Sequence, residues 1–559
     1  MLKENIIEIY QESFRDNWGL PALSDYGSRN TLTYGEFAAK IAKLHIFYKR
    51  IGLKPADKVA LIGKNTSSWV TTFIGTVTYG ATIVPILQEF NPADVQHIIN
   101  HSEASILFSS DSIWDNIDFD ALNRVHTVIS LDGFKILAEA EPEDDKAPQH
   151  PSLDALNQLE DDFKAAYPNG FTKKDIVYAP VPNDQMMILN YTSGTTGFSK
   201  GVMLTINNIT GNVVYGINSK LHYPGSKCVS FLPLAHAYGC AFDLLTPLAI
   251  GSHITLLGRI PSPKILIKAM AEVKPNLVIS VPLILEKIYR KQIVPMISKG
   301  MMRWALAIPY LDNQIYAKIR QKLIDAFGGE FEEVIIGGAP LNSEVEDFLH
   351  RIKFPFTVGY GMTECGPLVS HTPWREFVPH SAGRILSGLM EVKVMSDDPE
   401  NIPGEICVRG ENVMNGYYKY PDATNEVLKG DGWIHTGDMG TCSPDGTIFI
   451  KGRCKTMLLS ANGQNIYPEE IEAKLNNLLY VSESLIVERG GRLVALVYPD
   501  FEAIDNFGVA QEQLPEIMEQ IRKDLNALVA PYEQISKIEL VPTEFEKTPK
   551  RSIKRFLYK

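Results

Sequence analysis

Two rhythms of apolar and polar residues run along this chain. Short apolar runs rich in β-branched residues recur at 58–62, 81–86, 105–108 and 125–130, and predict buried strands. Between them, residues 33–51 and 91–101 carry apolar positions at helical spacing. Strand and helix in alternation predict a mostly parallel sheet covered on both faces by helices. The same rhythm returns at 228–232, 276–281 and 331–336. Residues 69–87 form the longest uncharged run near the N-terminus, but hold five threonines, two glycines and Pro85. That composition predicts a buried helix, a turn and a strand rather than a membrane span of ~20 apolar residues. Residues 139–151, rich in acid and proline, read as a solvated loop. From about Gly432 the texture changes to short strands and turns, followed by helices at 467–479 and 514–528 flanking a strand at 493–498.

At 559 residues, the chain has room for roughly three to four compact units. Hydrophobic residues make up 45% and charged residues 21%, which argues against wholesale disorder. The net charge of −12 disfavours a nucleic-acid binder, although a local site for a phosphate-bearing small molecule is compatible with it. Six scattered cysteines form no C-x-x-C pair, so neither a disulfide framework nor a zinc knuckle is expected. The N-terminal residues mix charges and lack an apolar h-region, and the expected location is cytoplasmic.

The strongest local signal is Tyr191-Thr192-Ser193-Gly194-Thr195-Thr196-Gly197-Phe198-Ser199-Lys200-Gly201, placed after the apolar strand at 186–189. Its glycines bring backbone N–H groups close to a ligand, while its hydroxyls and one ammonium add donors suited to a polyphosphate. The spacing is not that of a Walker A loop. A flexible linker would not account for a lysine beside a glycine run directly after a buried strand. Gly197-Phe198-Ser199-Lys200-Gly201 also fits the G-x-S-x-G nucleophile elbow, but Ser199 lies ten residues beyond Leu189, where an elbow serine would sit at the strand's end.

Three further motifs follow. Gly359-Tyr360-Gly361-Met362-Thr363-Glu364 combines two glycines, a planar ring for a base, a hydroxyl for phosphate and a carboxylate for a hard cation. Upstream, Ile336-Gly337-Gly338-Ala339 ends another strand in glycines, and two such loops can wall one slot at the carboxyl ends of a sheet. Asp438, in Thr436-Gly437-Asp438, suits a ribose diol, and Arg453, in Gly452-Arg453-Cys454-Lys455, suits phosphate or ribose.

In this order and together, the motifs resemble the adenylate-forming superfamily of acyl-CoA synthetases, adenylation domains and luciferases, over nearly the whole chain. Phe231-Leu232-Pro233-Leu234-Ala235-His236-Ala237-Tyr238 is most similar to long-chain fatty acyl-CoA synthetases. The resemblance implies an α/β fold. A large N-terminal domain (1–454) of doubly wound sheets with a small barrel-like part would precede a small mobile α+β domain (455–559). It implies a fatty acid, ATP and CoA as substrates, Mg²⁺ as cofactor, no nucleic acid, and at most a peripheral membrane association. Thr192, Ser193, Gly194, Thr195, Thr196, Gly197 and Lys200 would hold the pyrophosphate end of ATP. Thr363 would meet the α-phosphate and Glu364 the metal. Gly338, Ala339, Tyr360 and Gly361 would line the adenine site, with Asp438 and Arg453 on the ribose. Lys455 would be the hinge, Gly463 would border the CoA arm, and His236 would gate the acyl site.

One position departs from the family pattern. The family's C-terminal lysine, in a pattern like Thr-x-x-Gly-Lys, falls on Ser552 when counted from Thr548. A hydroxyl brings no positive charge, so Lys550 is the expected substitute, with Lys554 and Arg551 as rivals. Three alternatives to a fatty acid–CoA ligase stand beside it. One is a non-catalytic nucleotide binder, one a ligase loading a carrier protein, and one a hydrolase built on Ser199.

Overall fold

The computed structural model describes residues 1–28, 30–141, 151–192, 199–258, 262–298, 300–306, 308, 311–459, 464–506, 508–548 and 552–558. A seven-stranded sheet runs in the order Ile136–Glu139, Thr127–Ser130, Ile106–Ser109, Lys58–Ile62, Thr82–Ile86, Met186–Thr192 and Lys200–Thr205. Its inner strands pair in parallel and its two edges are antiparallel. Parallel strands need helical crossovers, and these are the helices that the periodicity predicts. Helix Tyr34–Ile51 opens with a Thr33/Glu36 capping box and closes at Gly52 in the left-handed region (φ +81°). Helix Ser67–Tyr79 is capped by Thr66, stops at Gly80 and is followed by strand Thr82–Ile86, so the run at 69–87 folds as helix, turn and strand.

A second sheet orders Lys227–Ser230, His253–Leu256, Pro21–Asp25 and Thr31–Thr33, and a third pairs Val278–Ser280, Val334–Ile336 and Phe356–Val358 in parallel. The Asn276 N–H donates to Lys227 O and links the two. Antiparallel strands Met390–Met395, Gly404–Gly410, Ile434–Cys442 and Ile448–Arg453 form the barrel-like part. Beyond them, helices Pro468–Leu475 and Leu514–Leu528 pack on strands Val481–Arg489, Arg492–Pro499 and Lys537–Leu540. This last group encloses a core of its own, with Ile471, Leu475, Ala495, Val497 and Leu525 at its centre.

Three local expectations differ from what is observed. The strand expected at 186–189 continues to Thr192 and pairs antiparallel with strand Lys200–Thr205, whose Val202 and Leu204 are buried. The helix expected over 467–479 ends at Leu475, with its C-cap at Asn476. Strand Ile136–Glu139, which the sequence pattern did not mark and which ends on the first residue of the acidic loop at 139–151, adds an antiparallel edge.

Candidate active site

The site gathers at the carboxyl ends of the strands of the second and third sheets and against the barrel-like part. A cavity of about 1230 Å³ is lined by Thr192, Lys200, His236, Gly338, Tyr360, Gly361, Thr363, Glu364, Arg453 and Lys455, all singled out from the sequence. Thr192 and Lys200 pair across adjacent antiparallel strands, at the two sides of the glycine-rich motif. Ser193, Gly194, Thr195, Thr196 and Gly197 in that loop, and also Gly463 and Lys550, lie outside the described residues. Ser199 lies just before strand Lys200–Thr205; an elbow nucleophile instead sits at a strand-to-helix turn.

Two glycines make the walls thin. Gly338 holds a left-handed conformation (φ +85°) after strand Val334–Ile336. At Gly361, a Cβ would come within 2.3 Å of Pro367 O, so no side chain fits beside the slot. Tyr360, nearly buried, donates from its hydroxyl to Asp438 Oδ2 at 2.6 Å. Arg453 Nε lies 3.1 Å from Asp438 Oδ1, and its Nη1 donates to Thr436 O at 3.2 Å. Burial raises the Asp438 carboxyl above the usual carboxylate range, and Arg453 opposes that rise. Burial, then the neighbouring Asp438, pushes the Tyr360 phenol well up. Asp438 therefore meets the cavity through its two partners, while Ala339 is exposed and does not line it.

Several residues that the sequence did not mark complete the site. The Tyr417 hydroxyl donates to Glu364 Oε1 at 2.8 Å, and Lys200 Nζ sits 5.0 Å above the Tyr417 ring. One tyrosine thus orients both a carboxylate and an ammonium. Its only signal in sequence is an aromatic pair after Gly416, which is common in turns. Glu405 supports the ribose motif from behind. Its Oε1 accepts from the Gly437 N–H at 3.3 Å, and its Oε2 lies 2.8 Å from His435 Nδ1. Beneath the slot, the Tyr215 hydroxyl meets His371 Nδ1 at 2.7 Å.

The C-terminal tail also enters the cavity. Lys547 and Ile553 pair as an antiparallel bridge, and the Thr548 N–H donates to Ser552 O. This small hairpin aims Ser552, Lys554 and Arg555 at the nucleotide-sized space. Lys554 Nζ lies 3.5 Å from Glu546, and Arg555 pairs with Glu472 and Glu469. A second, largely apolar cavity of about 620 Å³ adjoins the first. His236, Tyr238, Gly338 and Ser552 line both. The departing serine therefore stands where the two spaces meet. The Glu364 carboxylate, with one oxygen already oriented, offers the hard oxygen donor that Mg²⁺ takes.

Comparison with known proteins gives the site its context. Residues 10–418 match the AMP-binding enzyme family. A long-chain-fatty-acid–CoA ligase of Rattus norvegicus is 28% identical over 488 residues, which cover 81% of this chain and 64% of that protein. The chain thus spans a little under two thirds of that relative's length. A peroxisomal long chain acyl-CoA synthetase of Arabidopsis thaliana is 28% identical over 529 residues, 89% of this chain and 73% of that one. Among solved structures, an anthranilate CoA ligase in complex with anthranoyl-AMP aligns with a TM-score of 0.77 at 19% identity, covering 100% of this chain and 97% of that one. ATP-bound MatB from Rhodopseudomonas palustris aligns at 0.75 and 20% identity, covering 99% and 98%. These structural likenesses establish a shared fold.

Proposed function

This chain belongs to the AMP-binding enzyme family, and from that premise we propose that it is an ATP-dependent ligase that joins a medium- to long-chain fatty acid to CoA. The observation that carries the reading is the meeting of two cavities at His236, Gly338 and Ser552, the larger lined by Thr192, Lys200, Thr363, Glu364 and Arg453, the smaller largely apolar. A fatty acid in the apolar cavity presents its carboxylate at that junction. A carboxylate oxygen attacks the α-phosphorus of ATP, the bond to pyrophosphate breaks, and acyl-AMP forms. The CoA thiol then adds to the acyl carbonyl and AMP leaves with the bonding pair. In the first step the protein's work is positioning and charge stabilisation of an in-line displacement.

In this reading Thr192, Lys200 and the loop between them hold the pyrophosphate end. Thr363 donates to the α-phosphate, Tyr360 covers the adenine, and Asp438 with Arg453 holds the ribose. Glu364 is the ligand for Mg²⁺, which when bound supplies charge neutralisation on the phosphates. The domain boundary falls at 454/455, with Lys455 as the hinge, Gly463 beside the CoA arm and His236 as the acyl gate.

The test is acid-dependent ATP–pyrophosphate exchange with Mg²⁺, over acetate, octanoate, palmitate, benzoate and several amino acids. Exchange that peaks at a fatty acid is the expected result. ATP binding with no exchange for any acid would instead favour a non-catalytic nucleotide binder, the reading that Ser552 at the junction supports. The working cation is assigned to Lys550. Lys550→Ala is expected to abolish exchange while Lys554→Ala leaves most of it, and the reverse pattern moves the role to Lys554. Transfer to CoA rather than to a carrier protein is checked by acyl-CoA formation from the purified chain alone.

A further inference from the structure

Among the described residues, one group of three metal-ligating side chains converges, on the barrel-like part: Glu405, Cys407 and His435. Their ligand atoms all lie within 4.8 Å of one another. Strand register brings them together. Cys407 and His435 are direct partners on antiparallel strands Gly404–Gly410 and Ile434–Cys442. Glu405 lies two residues from Cys407 on the same strand and shares its face. Cys407 is fully buried, and the His435 side chain is 9% exposed. Cys407 Sγ stands 3.4 Å and Glu405 Oε2 2.8 Å from His435 Nδ1. The exposed Lys429 adds its Nζ at 3.2 Å from the same atom. A single ring nitrogen cannot satisfy all of these at once, because the carboxylate needs its proton and the ammonium needs its lone pair. The other ring nitrogen, Nε2, faces Asp431 Oδ2 at 3.5 Å. A carboxylate there favours the proton on Nε2 and leaves Nδ1 as a lone pair aimed at the trio's centre, as in a metal-bound histidine.

A tetrahedral ion at about 2.0–2.3 Å from sulfur, nitrogen and oxygen holds its ligands about 3.4–3.6 Å apart. The Cys407–His435 pair already has that spacing, and the Glu405 carboxylate has only to withdraw by about half an ångström. We propose that Glu405, Cys407 and His435 bind a thiophilic divalent ion of the Zn²⁺ class, with Asp431 orienting the imidazole and solvent in the fourth position. Glu405, His435 and Lys429 line the larger cavity, so the ion enters from there once the Lys429 ammonium swings aside. Burial pushes the Cys407 thiol up to about 11, so the sulfur–metal bond forms as the thiol proton passes to solvent. Around that thiol Glu405 and Asp431 offset Lys393 and Lys429, and the new thiolate leaves one net negative charge for the dication. Thiolate and imidazole select Zn²⁺ over Mg²⁺, which separates this site from the one at Glu364. Glu405 Oε1 can keep the Gly437 N–H while Oε2 takes the ion, so the site sits behind the Asp438 loop. Binding there requires neither ATP nor ligase activity, and it stands or falls separately from the reaction proposed above.

The experiment is a Co²⁺ titration of the full chain, stripped with chelator and kept free of ATP, followed by absorbance. The expected result is a thiolate-to-cobalt charge-transfer band with tetrahedral d–d bands, saturating at about one ion per chain. Zn²⁺ is expected to bleach these bands and excess Mg²⁺ to leave them. Cys407→Ala is expected to remove the charge-transfer band and to weaken Zn²⁺ binding at least about tenfold, and Asp431→Asn to weaken it about tenfold. Cys454→Ala keeps the band, although the Cys454 thiol also feels the Glu405 charge. Melting curves of the metal-free variants separate a lost ligand from lost folding, and because Asp431 is exposed its variant tests the site even where buried Cys407→Ala melts lower. No charge-transfer band in the parent, a band that persists in Cys407→Ala or vanishes in Cys454→Ala, bleaching by Mg²⁺, or unchanged Zn²⁺ affinity in Asp431→Asn would overturn the proposal.

Discussion

Asp438 is the residue on which the proposed nucleotide site turns, since it is buried with a phenol on one oxygen and a guanidinium on the other. Tyr360→Phe removes the 2.6 Å bond and leaves Arg453 to hold the carboxylate alone. The expected result is a five- to tenfold loss of AMP affinity by calorimetry, about 1–1.5 kcal/mol, with the fold intact. Unchanged affinity would show that the Tyr360–Asp438 bond plays no part in nucleotide binding. Ser552 is the complementary case, a hydroxyl at the junction of two cavities where the family's pattern has an ammonium. Ser552→Lys puts a charge where the acyl and phosphate oxygens are expected to meet, and in a Lys550→Ala chain it is predicted to restore pyrophosphate exchange at least about tenfold. No restoration would mean that position 552 does not reach the oxygens that the Lys550 ammonium is proposed to serve.

At the scale of elements, close approach of backbones is what sets the layers. Helices Tyr34–Ile51 and Ser67–Tyr79 touch at Gly75, where a Cβ would lie 2.6 Å from Leu44 Cδ2. Gly75→Val is expected to cost about 1–3 kcal/mol, read as a lowered melting temperature. The start of strand Val334–Ile336 holds a second element-scale feature. Glu333 is buried just before it, with Oε2 accepting from the Trp374 N–H at 2.8 Å and Oε1 4.0 Å from His371 Nε2. Burial pushes the Glu333 carboxyl up to about 7, and burial depresses His371 to about 4. Below the ordinary carboxylate value, the folded and unfolded states both hold the Glu333 proton. Between that value and about 7 only the folded state holds it, so this group's contribution to stability falls as pH rises. Above about 7 the folded state carries a buried charge and the loss is complete. Glu333→Gln is therefore predicted to match the parent near pH 4.5 and to exceed it by up to about 3 kcal/mol above pH 7. A stability difference that does not change with pH would rule out the protonated buried carboxyl.

Across the whole molecule, polar contacts centred on Asn477 tie the C-terminal group to the rest. The Asn342 amide donates to Asn477 Oδ1 at 2.6 Å while its own Oδ1 caps helix Ser343–Arg351. Arg290 Nη2 reaches the same Asn477 oxygen at 3.3 Å. These contacts help hold the group in the placement that brings Ser552, Lys554 and Arg555 to the larger cavity. Asn477→Ala removes the shared acceptor and leaves the ATP-lining residues in place. The prediction is a five- to thirtyfold slower acyl-AMP formation with ATP affinity within about twofold of the parent. A parallel loss of ATP affinity would place Asn477 in nucleotide binding instead. No helix among the described residues is long and apolar enough to cross a membrane.

Periodicity and local chemistry settled much of this protein in advance. The alternation of strands and helices, the turn after Tyr79, and the Thr192–Lys200, Tyr360–Glu364 and Asp438–Arg453 motifs could be read from neighbouring residues alone. The reason is that capping, alternation and glycine conformations are short-range effects. Folding decided what those motifs share. Tyr417 reaches Glu364 across more than fifty residues, Glu405 supports Gly437 from the adjacent strand, and the tail brings Ser552 to a junction formed by His236 and Gly338. Long-range pairs of this kind leave no trace in spacing, because burial and strand register bring them together only in the packed molecule. The exposure of Trp304 belongs to the same class, since only tertiary packing determined which apolar residues would be left facing solvent.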